Sequence, residues 1–301
     1  MNRGADAGFG AIYIITQDPK YLGLLHTSAA SLKRAMPHLP ITLFSQFPVE
    51  TPYFDNVVPV TPTVDGFYDK TRLMRETPYE RTLFIDADTY VVEAVSELFP
   101  LLDRFDCAAT HEEYLNTDWH KRYERSDIPR SFPEFNTGVF LYRRSDQMDR
   151  LLREWGDLYK EYLEVKSGEQ LNDQPFFRVA AYHSDVRIAT LTREYNCKFR
   201  GQGYLNGAVK ILHGHYNLEL ASEYVGRAAR VLNASKKPRV YIAGHVYEQK
   251  IGGRLVSRRT AHKVGYFPEL PESSLRLGAK RLKEVVRERG IWNTLARIVA
   301  R

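Results

Sequence analysis

The run LFIDADTYVV, residues 83–92, decides how this chain is read. Apolar residues lead up to Asp86 and Asp88, and in extended chain the period of two puts both carboxylates on one side of a strand end. Two hard oxygen ligands at the carboxyl end of a strand, where open α/β sheets place their ligands, suit a divalent cation such as Mg²⁺ or Mn²⁺ that bridges phosphate oxygens. The same pair also fits a plain turn, with Asp86 capping it and Asp88 solvated. The surrounding sequence has to separate the two.

Outward from this stretch, short β-rich runs alternate with longer segments of helical spacing. The strand candidates are 11–16 (AIYIIT), 41–46 (ITLFSQ), 82–86 (TLFID), 107–110 (CAAT), 138–142 (GVFLY), 186–191 (VRIATL) and 209–213 (VKILH). Helical spacing falls on 20–36, 70–79, 145–165 and 170–182. This alternation predicts an α/β fold with a largely parallel sheet covered by helices. There is no internal repeat, no Gly-x-Gly-x-x-Gly turn and no Gly-x-x-x-x-Gly-Lys-Ser/Thr loop, which argues against a plain dinucleotide oxidoreductase or a P-loop enzyme.

With 301 residues, 43% of them hydrophobic and 27% charged, the chain has the composition of a folded globular protein and can bury a substantial core. Its net charge of +6 is uneven: from Lys250 to Arg301 there are 13 Lys or Arg against 4 Asp or Glu, +9, which leaves −3 for residues 1–249. Two units are expected, a catalytic domain over 1–249 and a basic extension over 250–301. Within the extension, residues 273–301 read as an amphipathic helix or pair of helices with Leu275, Leu282, Val285, Trp292 and Leu295 on one side. No apolar run is long enough to span a bilayer and the first ten residues have no secretory pattern, so a cytoplasmic location is expected. Cys107 and Cys197 form no Cys-x-x-Cys pair and suggest neither zinc nor a disulfide framework.

Four stretches follow one another in order: FYDKTRLMRETPYERTLFIDADTYVV (67–92), EFNTGVFLYR (134–143), LNDQPFF (171–177) and VKILHGHY (209–216). Together they resemble the metal-dependent nucleotide-sugar glycosyltransferases of GT-A fold, particularly the glycogenin and lipopolysaccharide galactosyltransferase type, over about residues 11–217. The resemblance implies a GT-A (Rossmann-like) mixed, mainly parallel sheet flanked by helices. It also implies transfer of a sugar from a nucleotide-diphosphate donor, UDP-sugar favoured, to a hydroxyl of a glycan, glycolipid or other acceptor, with retention of configuration.

By the same resemblance Asp86, Asp88 and His213 are the metal ligands, and an imidazole beside two carboxylates favours Mn²⁺ over Mg²⁺. Thr16, Gln17 and Tyr21 match the loop that holds base and ribose; Tyr21 either stacks on a uracil ring or packs in the core. Lys70 matches the family lysine that neutralises phosphate or holds the donor sugar, and Arg72 is either a second cation there or a solvated helix residue. Ala87, Asn136, Thr137 and Gly138 complete the donor-binding set. Asp173 and Gln174 match the pair kept beside the anomeric carbon, although Asp173 also fits a simple helix cap with Pro175 in the first turn.

The chain departs from the glycogenin pattern after His213. There it reads Gly-His-Tyr in place of Gly-Lys-Pro-Trp, so His215, Arg200 or Arg227 would have to contact diphosphate. Two alternatives compete: a non-catalytic sugar-nucleotide or membrane-associated protein on the same fold, and a haloacid-dehalogenase-type phosphatase. The phosphatase fits poorly, because its acidic pair belongs in the first strand with Thr or Val two positions after the second Asp, and here that position is Tyr90. The basic tail suits peripheral contact with an anionic membrane, at its inner face for a cytoplasmic protein. No nucleic-acid partner is expected, since the tail carries no recognition motif.

Overall fold

The computed structural model describes residues 7–63, 65–112, 125, 127–165, 172–199, 201–214, 221–242, 245–249 and 255–258. Among the described residues there are thirteen strands: β1 (Ala7–Ile15), β2 (Ile41–Ser45), β3 (Asn56–Pro59), β4 (Tyr79–Ile85), β5 (Thr89–Val91), β6 (Cys107–His111), β7 (Phe135–Arg143), β8 (Ile188–Thr190), β9 (Gln202–Leu205), β10 (Ile211–His213), β11 (Arg239–Ile242), β12 (His245–Gln249) and β13 (Leu255–Arg258). The helices are α1 (Leu22–Ala35), α2 (Gly66–Met74), α3 (Asp146–Val165), α4 (Gln174–Tyr182) and α5 (Ala221–Leu232), with short 3-10 turns at Pro19–Tyr21, Ser96–Asp103 and Arg193–Tyr195.

The main sheet has seven strands in the order β3-β2-β1-β4-β7-β6-β8. β1 to β4 are mutually parallel where they pair, β7 runs antiparallel to both β4 and β6, and β8 is parallel to β6, so only β7 is reversed. This is the mixed, mainly parallel sheet flanked by helices that the sequence implied. The reversal of β7 brings its N-terminal end beside the carboxyl ends of β1, β4 and β6.

Alternation along the strands supplies two cores. Ala11, Tyr13 and Ile15 of β1, with Leu83 and Ile85 of β4, pack toward α1 residues Leu25, Ala29 and Leu32. Ile12 and Phe84 point the other way, toward Leu73 and Met74 of α2, Trp155 and Tyr159 of α3, and Phe176 and Phe177 of α4. The apolar positions of α3 recur as Met148, Leu151, Leu152, Trp155, Tyr159 and Tyr162, one buried stripe on an otherwise charged helix. Fully burying each of the larger of these side chains contributes about 1.5–3 kcal/mol.

Several boundaries differ from those expected. The helix expected over 70–79 begins at Gly66, where the Asp65 carboxylate accepts from Phe67 N at 2.7 Å, and ends at Met74. Pro78 disfavours helix at Thr77, and Tyr79 opens β4. Of the segment 170–182, residues 170 and 171 lie outside the described residues and the helix runs over Gln174–Tyr182, while 186–191 pairs only over 188–190. A two-stranded pair of β5 with β10 and a four-stranded antiparallel sheet of order β13-β12-β11-β9 were not foreseen, nor was α5. Leu255–Arg258, at the start of the expected extension, pairs antiparallel with β12. The remainder from 259 on, including the segment 273–301, lies outside the described residues. None of the described helices is long and apolar enough to cross a membrane.

Gly156 marks the α2–α3 contact, since a Cβ there would lie 2.6 Å from Thr71 Oγ1 and 3.4 Å from Thr71 Cβ. We expect Gly156→Ala to lower stability by about 1–2 kcal/mol despite its better helix propensity, because buried Thr71 cannot move aside. Adding Thr71→Ala removes the close atom and should restore most of the loss. Urea midpoints of the two single variants and the double variant check this.

Candidate active site

The carboxyl end of β4 becomes a tight turn closed by the main chain: Asp86 O accepts from Thr89 N at 3.2 Å and from Thr89 Oγ1 at 2.8 Å. Thr89 Oγ1 is also 2.7 Å from Ser28 Oγ, which ties the turn to α1. The Asp86 carboxylate therefore does not cap the turn, and Asp88 is buried rather than solvated. Pairing of β5 with β10 then matches Thr89 with His213, and Asp88 O accepts from Gly214 N at 3.0 Å. Gly214 adopts φ 86°, a conformation that glycine reaches without strain and that lets the chain turn directly after the imidazole.

These contacts bring the two carboxylates and the imidazole together. His213 Nε2 lies 3.2 Å from Asp88 Oδ1 and 3.8 Å from Asp86 Oδ2, and one ligand atom from each residue falls within 4.8 Å of the others. Among the described residues this is the one such group. Its cradle is tight, because a Cβ on Gly138 would fall 2.2 Å from His213 Cε1 and 2.6 Å from Asp86 Oδ2. His213 Nδ1 is 2.8 Å from Asn196 Oδ1, which leaves Nε2 as the nitrogen offered to the carboxylates. Burial would lower the His213 pKa, but the Asp88 and Asp86 carboxylates outweigh it and the net shift is upward. A centre this negative, with two oxygens and one nitrogen converging, fits a divalent cation.

Lys70, on α2, extends the site. Its buried ammonium is 3.0 Å from Thr137 Oγ1, 3.0 Å from Asp173 Oδ2 and 3.8 Å from Asp86 Oδ1, and lies over the Phe84 and Trp155 rings at 4.9 and 5.6 Å. Burial works against its charge, yet the Asp173 and Asp86 carboxylates prevail and raise its pKa above the ordinary lysine value. Asp173 stands at the N-cap position of α4 without capping it. Its carboxylate accepts instead from Thr137 Oγ1 at 3.0 Å, while its carbonyl accepts from Trp155 Nε1 at 2.8 Å.

Thr16, Gln17, Tyr21, Lys70, Asp86, Ala87, Asp88, Asn136, Thr137, Asp173, Gln174 and His213 all line one cavity of about 630 Å³. Tyr21 stands 37% exposed at its edge rather than packed in the core. Gln17 takes φ 69°, held by Gln46 Oε1 on its N–H at 2.8 Å and by its own amide donating to Thr63 O at 2.8 Å. Arg72 does not line the cavity: its guanidinium donates to Thr61 O and to Asp69. Gly138 contributes the cradle rather than an open approach for ligand. Of the cations considered after His213, His215 and Arg200 lie outside the described residues, and Arg227 on α5 is not part of the lining.

The sequence reading missed a second layer of polar groups. Gln174 Nε2 donates to Glu112 Oε2 and to Glu134 Oε1, each at 3.0 Å. Glu112 also accepts from Asn136 Nδ2 at 3.0 Å and meets Lys198 Nζ at 3.2 Å through both oxygens. Burial pushes Glu134 up to about 7; the Gln174 amide and Arg178 act downward, and the Glu112 and Asp173 carboxylates upward. The available signals were Glu134 next to the apolar run of β7 and a charged Lys198 among apolar residues, neither of which has a period to stand on.

No family model matches the sequence, and no curated protein does. Solved structures to which the chain is similar include the galactosyltransferase LgtC in complex with donor and acceptor sugar analogues (14% identity, 75% of this chain and 95% of that one, TM-score 0.49). Mouse xyloside xylosyltransferase 1 in its apo form is another (17% identity, 70% and 98%, TM-score 0.45). The bifunctional glycosyltransferase WbbM, of which this chain spans about half the length, is a third (12% identity, 72% and 47%, TM-score 0.47).

Because Glu134 binds its proton more tightly in the folded state than in the unfolded chain, folding takes up a proton between about pH 4.5 and pH 7. The stability contributed by neutral Glu134 is complete below the unfolded value and is lost as pH rises toward 7. Glu134→Gln has no such proton, so its stability relative to the parent should rise from pH 5 to pH 8 by on the order of 3 kcal/mol. Urea unfolding of both proteins across that range measures it.

Proposed function

We propose that the chain is a metal-dependent glycosyltransferase that moves a sugar from a nucleotide-diphosphate donor, a UDP-sugar by preference, to a hydroxyl of a glycan or glycolipid, with retention. The observation that carries this reading is the junction of the Asp86–Asp88–His213 group with Asp173 through a single buried ammonium, Lys70, within one cavity that Gln174 also lines. Phosphate chemistry and sugar chemistry then share a floor.

Asp86, Asp88 and His213 would hold the cation, Mn²⁺ favoured by the mixed oxygen and nitrogen donors, and the cation would supply charge neutralisation for the departing diphosphate. Lys70 stands beside that position and adds a fixed positive charge that is most useful as the sugar–phosphate bond breaks. Tyr21, exposed at the cavity edge, offers a face for the base. Asp173 is held by Lys70 and Thr137 and positions the start of α4, while Gln174 presents its amide to the cavity. With the acceptor hydroxyl approaching from the side the diphosphate leaves and passing its proton to that departing diphosphate, the Gln174 carbonyl oxygen supports the electron-poor anomeric carbon from the opposite side, which gives retention.

Asp86→Asn and Asp88→Asn should each lower turnover at least about 100-fold while the far-UV circular dichroism stays native. The companion measurement is a thermal-shift and hydrolysis screen of UDP- and GDP-sugars with Mn²⁺, Mg²⁺ or EDTA. Metal-dependent stabilisation with slow release of nucleoside diphosphate supports the reading, and no response to any donor removes it.

The basic segment 273–301 gives the enzyme a means of reaching a lipid-borne acceptor, since each Lys or Arg near an anionic surface contributes about 1 kcal/mol. Deleting it should reduce sedimentation with phosphatidylserine-containing vesicles and leave binding to neutral vesicles unchanged.

A further inference from the structure

We propose that Glu112 sets the direction of a buried hydrogen-bond chain that turns both His213 Nε2 and Gln174 Oε1 toward the cavity, so that one positioning residue orients the metal side and the sugar side of the site together. The orientation of Gln174 matters through the transferase reading above; the orientation of His213 does not depend on it.

The direction follows from what each group can do. Glu112 is salt-bridged to Lys198 and accepts only, so the two amides that reach its Oε2 must do so with their NH₂ groups: Asn136 Nδ2 and Gln174 Nε2, each at 3.0 Å. With its NH₂ on Glu112, Asn136 faces the other way with Oδ1, which accepts from Gly138 N at 3.1 Å and from Asn196 Nδ2 at 2.8 Å. Asn196 is therefore also fixed, and its Oδ1 faces His213 Nδ1 at 2.8 Å. Nδ1 must then carry the hydrogen, and Nε2 is the nitrogen whose lone pair would be offered to a cation between Asp86 and Asp88.

On the other branch, Gln174 uses both N–H groups, one on Glu112 and one on Glu134 Oε1. A planar amide so held points its carbonyl oxygen away from both carboxyls, toward the cavity it lines, and none of the described residues donates to that oxygen. Asn136, Asn196, Glu112 and Glu134 are all at most 5% exposed, so water does not compete along the chain. A carboxylate at Glu112 is the only member that accepts without being able to donate and receives bonds from both branches. Glu134 reinforces one branch and is not required for the other.

Glu112→Gln tests this directly, because a glutamine there can present either its oxygen or its NH₂ and the direction is no longer dictated. In the full-length protein labelled with ¹⁵N-histidine, His213 should show a downfield, exchange-protected Nδ1–H signal, present without added metal. In Glu112→Gln that signal should weaken or split, and the Mn²⁺ dissociation constant, read from free Mn²⁺ by electron paramagnetic resonance, should rise about 10–100-fold. Turnover at saturating Mn²⁺ should fall with the donor KM little changed, as expected when Gln174 loses its hold.

Glu134→Gln leaves the His213 branch alone and should keep the Nδ1–H signal and the Mn²⁺ affinity. Should Glu112→Gln fail to fold, Asn136→Leu breaks the same branch with Glu112 in place and should produce the same loss of signal. An unchanged Nδ1–H signal and unchanged Mn²⁺ affinity in the chain-breaking variant overturn the proposal. Parent protein with the signal but no turnover on any donor overturns the transferase reading instead and leaves the His213 branch standing.

Discussion

A buried ammonium holds this site together. Asp86 belongs to the end of β4 and Asp173 to the start of α4, and each carboxylate would be costly to bury or half-bury without a cation nearby. Lys70 lies between them, 3.8 and 3.0 Å away, so removing Lys70 would strip both carboxylates of the ammonium they share. Breaking buried pairs in this way typically costs about 3–5 kcal/mol. The fold therefore places α2 where Lys70 reaches both, and the α2–α3 contact at Thr71 and Gly156 keeps it there.

Helix geometry explains why Lys70 enters the site and Arg72 does not. Two residues apart on an α-helix turn the side chain through about 200°, which puts the pair on nearly opposite faces. Lys70 faces Phe84 and Trp155, whereas Arg72 faces Thr61 and its own Asp69. A match to a motif carries residue identity along the sequence; only the angle around the helix tells which of two nearby cations reaches the ligand side.

The main strands, the acidic pair, Lys70, Asp173 and His213 were legible because each belongs to an apolar run with a period, or to a motif in known order. The second layer was not. Glu112, Glu134, Asn196 and Lys198 sit at strand ends and in turns, where a buried polar residue and a solvated one are written with the same letters, and only the partner reveals the difference. The direction of β7 was equally hidden, since alternation specifies faces and not polarity. The three-residue strands β5 and β10 were too short for β5 to announce itself, although their pairing delivers His213 to Asp88.

What gives β7 its reach is an irregularity. Its pairing with β6 slips between Ala109, opposite Phe140, and Thr110, opposite Asn136. Strict alternation would place Phe135 on the same face as Val139 and Leu141, yet Phe135 packs with Phe140 and Tyr142 in the second core, while Val139 and Leu141 stay in the first. The slip therefore exchanges the faces within Asn136–Gly138, as an extra residue in a strand does. Thr137 is turned toward Lys70 and Asp173, Asn136 toward Glu112 and Asn196, and Gly138 comes against the His213 ring with no room for a Cβ. A regular strand would send one of these groups into the wrong core. The three residues can meet Lys70 and Asp173, Glu112 and Asn196, and the His213 ring at once because the strand is broken at that point, and a glycine inside an apolar run was the one trace of it in the sequence.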